Sequence, residues 1–249
     1  MRQAFYRHDP SNPHSIAPTP VALSKIVEDR IDPNILWLAT SSLTKFDKRT
    51  DEFTNYPLAG VQWYLNIFED DDGFLWLPTL GQGLIKFDKR AGKIVAQYKY
   101  DPENPNSVSS NTLADVLETP PGTLWIATAD NGIAKFDKQT ATFTNYTIDK
   151  GFPAAAVYGL IEDQLGNLWM PTASGLVRLN LHTEQTTLFT EDDGLQSNLF
   201  FQGKLRTRDG EMWFGGMNGV NSFYPDKLTT NPYIPPVFIT SLKQGGEEL

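Results

Sequence analysis

Residues 120–138 read PPGTLWIATADNGIAKFDK: a Pro121-Gly122 turn, a run centred on Trp125, an Asn131-Gly132 turn and a second run centred on Phe136. Two short runs rich in β-branched and aromatic side chains, joined by Asn-Gly, read as an antiparallel strand pair, because Asn and Gly accept the positive φ of a tight hairpin. The same stretch returns along the chain, as ILWLAT around Trp37, FLWLPT around Trp76, NLWMPT around Trp169 and EMWFGG around Trp213, so that successive tryptophans are 39, 49, 44 and 44 residues apart.

Other segments keep step with it. After each Trp comes LTKFDK, LIKFDK, IAKFDK, LVRLNL or VNSFYP, centred on Phe46, Phe87, Phe136, Leu179 and Phe223. Before it comes IVED, IFED, VLET or LIED, ending at Asp29, Asp70, Thr119 and Asp163, while the fifth copy has KLRTRDG there. EFTNY, TFTNY and TTLFT close several copies. Four strands per unit of about 44 residues is the blade of a β-propeller. The fold class is therefore all-β, a propeller of four-stranded antiparallel blades with about five repeats, in a closed five-bladed ring or part of a larger one. A blade cannot bury both faces of its sheet alone, so each repeated Trp is expected to pack between neighbours, and Trp→Ala to cost about 3–5 kcal/mol.

The repeats divide the chain at about 20–60, 61–107, 108–151, 152–194 and 195–230. Residues 3–8 read as an orphan outer strand, since the following DPSNPHS repeats the linker DPENPNS at Asp101 to Ser107. That strand either completes the fifth blade or belongs to a blade preceding the first.

Composition excludes several classes. The 249 residues include no Cys, so there is no disulfide scaffold, thiolate metal site or cysteine nucleophile. The net charge of -9, with basic residues scattered singly, argues against nucleic acid as a partner. No apolar run reaches the roughly 18 residues that span a bilayer, and MRQAFYRHDP lacks the apolar stretch of a signal peptide, so this segment is expected to make no membrane contact itself.

The recurring I-x-E-D, G-x-L-W-x-x-T and G-[LI]-x-K-F-D elements resemble the two-component regulator propeller repeats of bacterial hybrid histidine kinases and some diguanylate cyclases, over about residues 1–230. The tail 231–249, NPYIPPVFITSLKQGGEEL, resembles the start of the immunoglobulin-like three-tyrosine domain that follows such propellers. The resemblance implies a non-catalytic, ligand-sensing input domain, periplasmic, in a membrane sensor that is dimeric, with the kinase or cyclase module elsewhere. It implies carbohydrate fragments as ligands. Family members usually have seven blades per propeller, and five repeats are visible here.

Chemistry-bearing motifs are few. His8, His14 and His182 lie in linkers or turns without a carboxylate or Cys at metal-ligand spacing. No G-x-S-x-G, H-E-x-x-H or Walker sequence occurs. Gly81-Gln82-Gly83 reads as hairpin geometry, the acidic run from Glu69 to Asp72 as a solvated hairpin and Asn145-Tyr146-Thr147 as a chance sequon. No cofactor or metal is expected.

Recognition in propellers usually lies at the mouth of the central channel. The loops leading into each innermost strand vary most between copies, and they place Trp63, Tyr64, Asn111, Tyr158, Asn198 and Phe200 where side chains of different blades could converge. Aromatic faces beside amides would suit an oligosaccharide or another small amphipathic ligand. Alternatively, these aromatics plug the channel or pack under the loops. Two other functions compete: a metal-dependent lyase resembling virginiamycin B lyase, whose channel-mouth His and Glu have no His counterpart in these loops, and a protein-interaction scaffold.

Overall fold

The turn dipeptides punctuate the chain into short antiparallel strands. A computed structural model describes residues 4–18, 24–39, 42–57, 60–61 and 63–228, together with the backbone of 243–244 and 247–248. Blade 1 comprises β1 (Lys25–Glu28), β2 (Ile35–Ala39), β3 (Leu43–Asp47) and β4 (Glu52–Tyr56). Blade 2 comprises β5 (Phe68–Glu69), β6 (Phe74–Pro78), β7 (Leu84–Asp88) and β8 (Lys93–Tyr98). Blade 3 comprises β9 (Leu113–Glu118), β10 (Thr123–Thr128), β11 (Ile133–Asp137) and β12 (Thr142–Tyr146). Blade 4 comprises β13 (Ile161–Glu162), β14 (Asn167–Thr172), β15 (Gly175–Asn180) and β16 (Thr186–Phe189). Blade 5 comprises β17 (Phe200–Arg206), β18 (Met212–Gly216) and β19 (Gly219–Phe223).

Within every blade the strands pair in sequence order, four deep in blades 1–4 and three deep in blade 5. The five sheets form a five-bladed β-propeller. The expected immunoglobulin-like start at 231–249 lies outside the described residues, apart from a backbone pair of β20 (Lys243–Gln244) with β21 (Glu247–Glu248).

In blades 1–4 the second strand is buried on both faces, most completely in β14, where every residue is buried. Such a strand shows no apolar-polar alternation because neighbouring blades cover it from both sides. Gly132 shows what the hairpins demand: its φ is 75°, and a Cβ there would collide with the carbonyl oxygen of Tyr146. Trp37, Trp76, Trp125 and Trp169 are each at most 1% exposed, and each lies between its own blade and the next. Trp213 differs: it is 38% exposed, beside Leu205 at 57% and Val220 at 62% on a face of blade 5 that carries no further blade among the described residues.

A polar code runs along the same interfaces. The indole N–H of Trp37 donates to Asp29 at 3.0 Å, that of Trp76 to Asp70 at 2.8 Å and that of Trp169 to Asp163 at 2.8 Å. The Lys of the next blade's K-F-D-K segment then reaches back: Lys89 pairs with Asp29 at 2.7 Å and Lys138 with Asp70 at 2.8 Å. Each also pairs with the Glu of its own blade, Glu69 or Glu118. The acidic run expected to be solvated is thus split: Asp71 and Asp72 are exposed, whereas Glu69 and Asp70 are buried as ion-pair partners. Between blades 3 and 4 both partners change together, Asp to Thr119 and Lys to Leu181, and Trp125 donates instead to the Thr119 carbonyl at 2.9 Å. Leu181 packs on the apolar cluster there.

Residues 4–8, expected as an outer strand, form no ladder with any described strand. Tyr6 packs on Phe46 and Phe53, at ring distances of 5.0 and 5.3 Å, as Tyr98 of blade 2 packs on Phe136 and Phe143 of blade 3 at 4.8 and 5.8 Å. The two linkers match bond for bond, with Phe53 N–H donating to His14 O and Phe143 N–H to Asn106 O. The segment therefore holds the position of an outer strand preceding blade 1, without a third strand beside it to complete the ladder.

Candidate functional site

The five innermost strands start around one axis. The residue preceding each I-x-E-D element, or its counterpart, is Lys25, Asn66, Asp115, Gly159 or Gly203 in blades 1–5. These equivalent positions mark one level of the channel. A cavity of about 110 Å³ opens there, with Lys25, Asn66, Asp115, Tyr158, Gln202 and Lys204 in its lining. It continues into a cleft of about 450 Å³ with an aliphatic wall of Leu117, Leu160 and Ile161 and a polar edge of Lys25, Glu162, Gln202, Lys204 and Arg206.

Asp115 is the hub of this level, only 3% exposed. Its Oδ1 accepts the Val116 N–H at 2.8 Å and the Asn66 amide, and its Oδ2 accepts the Leu160 N–H at 2.9 Å and the Lys204 ammonium at 2.6 Å. One carboxylate thereby ties blades 2, 3, 4 and 5 together. A buried carboxylate needs such partners, since an isolated one would cost several kcal/mol.

Two local features let Lys204 cross blade 4. The β17–β18 register slips between Phe200 and Lys204, a bulge that re-aims the side chain. The second is Gly159, over which the side chain lies: a methyl group there would sit 2.7 Å from Lys204 Nζ. The Lys25 side chain, in contrast, makes no ion pair or hydrogen bond among the described residues, and the Arg206 guanidinium donates there only to the Glu162 carbonyl, at 2.6 Å.

Of the six residues singled out in the sequence, the structure brings Tyr158 into the cavity. Tyr64 is fully buried, and its carbonyl accepts the Ser24 hydroxyl at 2.6 Å. Trp63 is half-buried, its carbonyl accepting the Leu80 N–H. Asn111 clamps blade 2, its Oδ1 accepting the Tyr100 N–H at 2.8 Å and its carbonyl the N–H groups of Gly81 and Gly83. Asn198 is exposed and exchanges two hydrogen bonds with Glu191, closing its loop. Phe200 is buried in the apolar cluster between blades 4 and 5. Asp115, Lys204, Lys25 and Asn66 were not singled out. One signal was present: KLRTRDG breaks the I-x-E-D pattern by putting Lys204 where blade 4 has Leu160 and Arg206 where it has Glu162.

A larger cavity, about 580 Å³, lies instead between hairpins of blades 2 and 3 and includes Asp72, Glu118 and Lys138 in its lining. These groups satisfy one another, because Lys138 pairs with Asp70, Asp72 and Glu118. At the channel level the donor set is amides, hydroxyls, ammonium groups and one carboxylate already held by Lys204. Among the described residues there is no group of three or more His, Cys, Asp or Glu placed to hold a metal ion.

Fold and site together define a propeller with a polar channel cavity lined by charged groups of both signs. The resemblance to two-component sensor propellers holds against known proteins. No family model matches the chain. It is similar to histidine kinase P4 of Formosa agariphila, 35% identical over 100 residues, a match that takes in 40% of this chain and only 7% of that far longer relative. Among solved structures it is similar to the extracellular domain of the putative hybrid two-component system BT3049 from B. thetaiotaomicron, with a TM-score of 0.71 at 23% identity, covering 83% of this chain and 29% of that one. The corresponding domain of BT4673 from the same organism gives 0.71 at 20% identity, covering 83% of this chain and 30% of that one. Virginiamycin B lyase from Staphylococcus aureus gives 0.62 at 16% identity, covering 81% and 69%. At these identities the structural likenesses speak for the fold alone.

Proposed function

We propose that this chain is the ligand-sensing part of a two-component signal-transduction sensor: an extracytoplasmic propeller that binds a small molecule in its channel and performs no chemistry on it. On this reading residues 1–230 are the propeller, 231–249 begin the immunoglobulin-like domain that passes the signal on, and the output kinase lies elsewhere in the parent protein. The observation that carries the reading is the match with a histidine kinase over 100 residues. The channel cavity supports it by gathering polar side chains from all five blades into one place.

The test is a thermal-shift screen of mono- and disaccharides, with each compound recovered afterwards and analysed. A sensor raises its melting temperature with ligand concentration, following RT ln(1 + [L]/Kd), and returns the ligand unchanged. A compound consumed during incubation, or a panel that leaves the melting temperature unmoved, overturns the proposal.

A further inference from the structure

Blade 5 lacks two things that the other blades have. Its sheet stops at β19, with no fourth strand among the described residues, and no blade covers its Trp face, so that Leu205, Trp213 and Val220 stay exposed. In blades 1–4 the second-strand Trp packs on the aromatic ring of its own fourth strand: Trp37 on Tyr56 at 5.9 Å, Trp76 on Tyr98 at 6.1 Å, Trp125 on Tyr146 at 5.6 Å and Trp169 on Phe189 at 5.4 Å. Trp213 meets no ring among the described residues.

Both missing parts stand on the face of blade 1 opposite Trp37. Residues 4–15, AFYRHDPSNPHS, match 96–107, AQYKYDPENPNS, which puts Ala4 and Tyr6 at the fourth-strand positions of Ala96 and Tyr98. Tyr6 lies on Phe46 as Tyr98 lies on Phe136, and Phe46 is the counterpart of the rings that Trp37 and Trp76 meet in the next blade, Phe87 and Phe136. Charges match as well. Thr207 stands where Asp29 does, but Glu211 takes over its role and accepts the Trp213 indole at 2.9 Å. Lys48 of blade 1 is the counterpart of Lys89 and Lys138, which reach back to such a carboxylate, and its ion pair is with Glu28 of its own blade. At the channel, β1 and β17 already line one cavity through Lys25, Gln202 and Lys204.

We infer that the open joint between blades 5 and 1 closes on itself: residues 4–8 add to β19 as the fourth strand of blade 5, and Trp213 packs against Tyr6 and Phe46. The structure describes the open form. The other blades fix the register of the closed one. Leu43, Leu84, Ile133 and Leu176 pair with Tyr56, Tyr98, Tyr146 and Phe189, and their counterpart in blade 5 is Val220. Val220 therefore pairs with Tyr6 and Ser222 with Ala4, as Lys86 pairs with Ala96. A row of exposed backbone donors and acceptors on β19 is satisfied in the same step.

Because the chain has no Cys, a disulfide reports this joint without interference. The test is Ala4→Cys with Ser222→Cys, both at exposed positions where the fold should be kept, oxidised at low protein concentration in a glutathione buffer. Opposed residues of an antiparallel pair have Cβ atoms about 4.5–5.5 Å apart, near disulfide reach, whereas diagonal neighbours at about 7–8 Å are outside it. An intramolecular disulfide is expected, formed at least about tenfold faster than in the diagonal pair Ala4→Cys with Val220→Cys. In the locked chain Trp213→Ala should lower the melting temperature as far as Trp125→Ala does, and in the reduced chain much less. No intramolecular disulfide, or equal rates for the two pairs, overturns the closure. A disulfide that joins two copies instead overturns it in favour of a second copy on the same face. A locked chain no more sensitive to Trp213→Ala than the reduced one overturns the packing of Trp213 between the two blades.

Discussion

Asp115 and Asp29 show the same chemistry in two settings, a buried carboxylate made tolerable by fixed donors. Burial alone would raise the Asp29 pKa, but hydrogen bonds from Lys89, Trp37 and the N–H groups of Asp32 and Ile31 outweigh it and hold the pKa down at about 2. A carboxylate depressed in the folded state stabilises it above the unfolded pKa of about 3.9, and that stabilisation is lost as pH falls towards about 2. Urea midpoints followed from pH 5 to pH 2 should therefore drop steeply, and Asp29→Asn should flatten that limb while lowering stability at neutral pH. At the channel, Gly159→Ala should push the Lys204 ammonium off Asp115 and cost about 1–2 kcal/mol in urea denaturation, the scale of a partly exposed charge-assisted bond. Lys204→Met should then add little to it, since both changes break one contact. An unchanged midpoint in Gly159→Ala would show that Lys204 reaches Asp115 by another path.

At the scale of the blade, the interfaces are variations on one theme: a Trp from one blade against apolar side chains of the next, with an Asp–Lys pair beside it between blades 1 and 2 and blades 2 and 3, Thr119 and Leu181 between blades 3 and 4, and Asp163 without a Lys between blades 4 and 5. Between blades 3 and 4 both partners are exchanged, to Thr119 and Leu181, whereas between blades 4 and 5 Asp163 stays without a Lys, held by the N–H groups of Leu165 and Asn167 and by the Asn167 amide. Thr119→Asp alone or Leu181→Lys alone should cost about 2–4 kcal/mol by burying an unpaired charge, and the double variant should recover at least about 1 kcal/mol of the sum. A double-mutant cycle in urea checks this, and strict additivity would break the proposed link. The tryptophans differ by the same logic. Trp125→Ala should cost about 3–5 kcal/mol, whereas Trp213→Ala, starting from a side chain 38% exposed, should cost less than half of that.

Across the whole molecule, what could be read from the sequence was what repeats locally. Five copies of the Trp and K-F-D segments announce hairpins and blades because turn chemistry and strand composition act over a few residues. The channel site depends instead on where distant strands converge: Asp115 and Lys204 are 89 residues apart in sequence, and the bulge that brings them together leaves no periodic mark. Tyr158 was legible because its loop leads straight into the channel. Trp63, Asn111 and Asn198 stand in equivalent loops, yet their polar groups, side-chain or backbone, are taken up in bracing those loops, and Phe200 is taken up by the apolar packing between blades 4 and 5. The immunoglobulin-like tail and the dimeric membrane sensor implied by the resemblance concern parts of the protein beyond the five blades described. The claim that unites fold and function is that ligand binds at the level of Lys25, Asn66, Asp115 and Lys204, inside the ring. Hydrogen–deuterium exchange of the intact chain, with and without a ligand from the thermal-shift panel, tests it most directly. Protection is expected in peptides covering 24–28, 64–69, 113–118 and 200–206, with the outer strands β4, β8, β12 and β16 unaltered; protection confined to those outer strands would contradict a channel site.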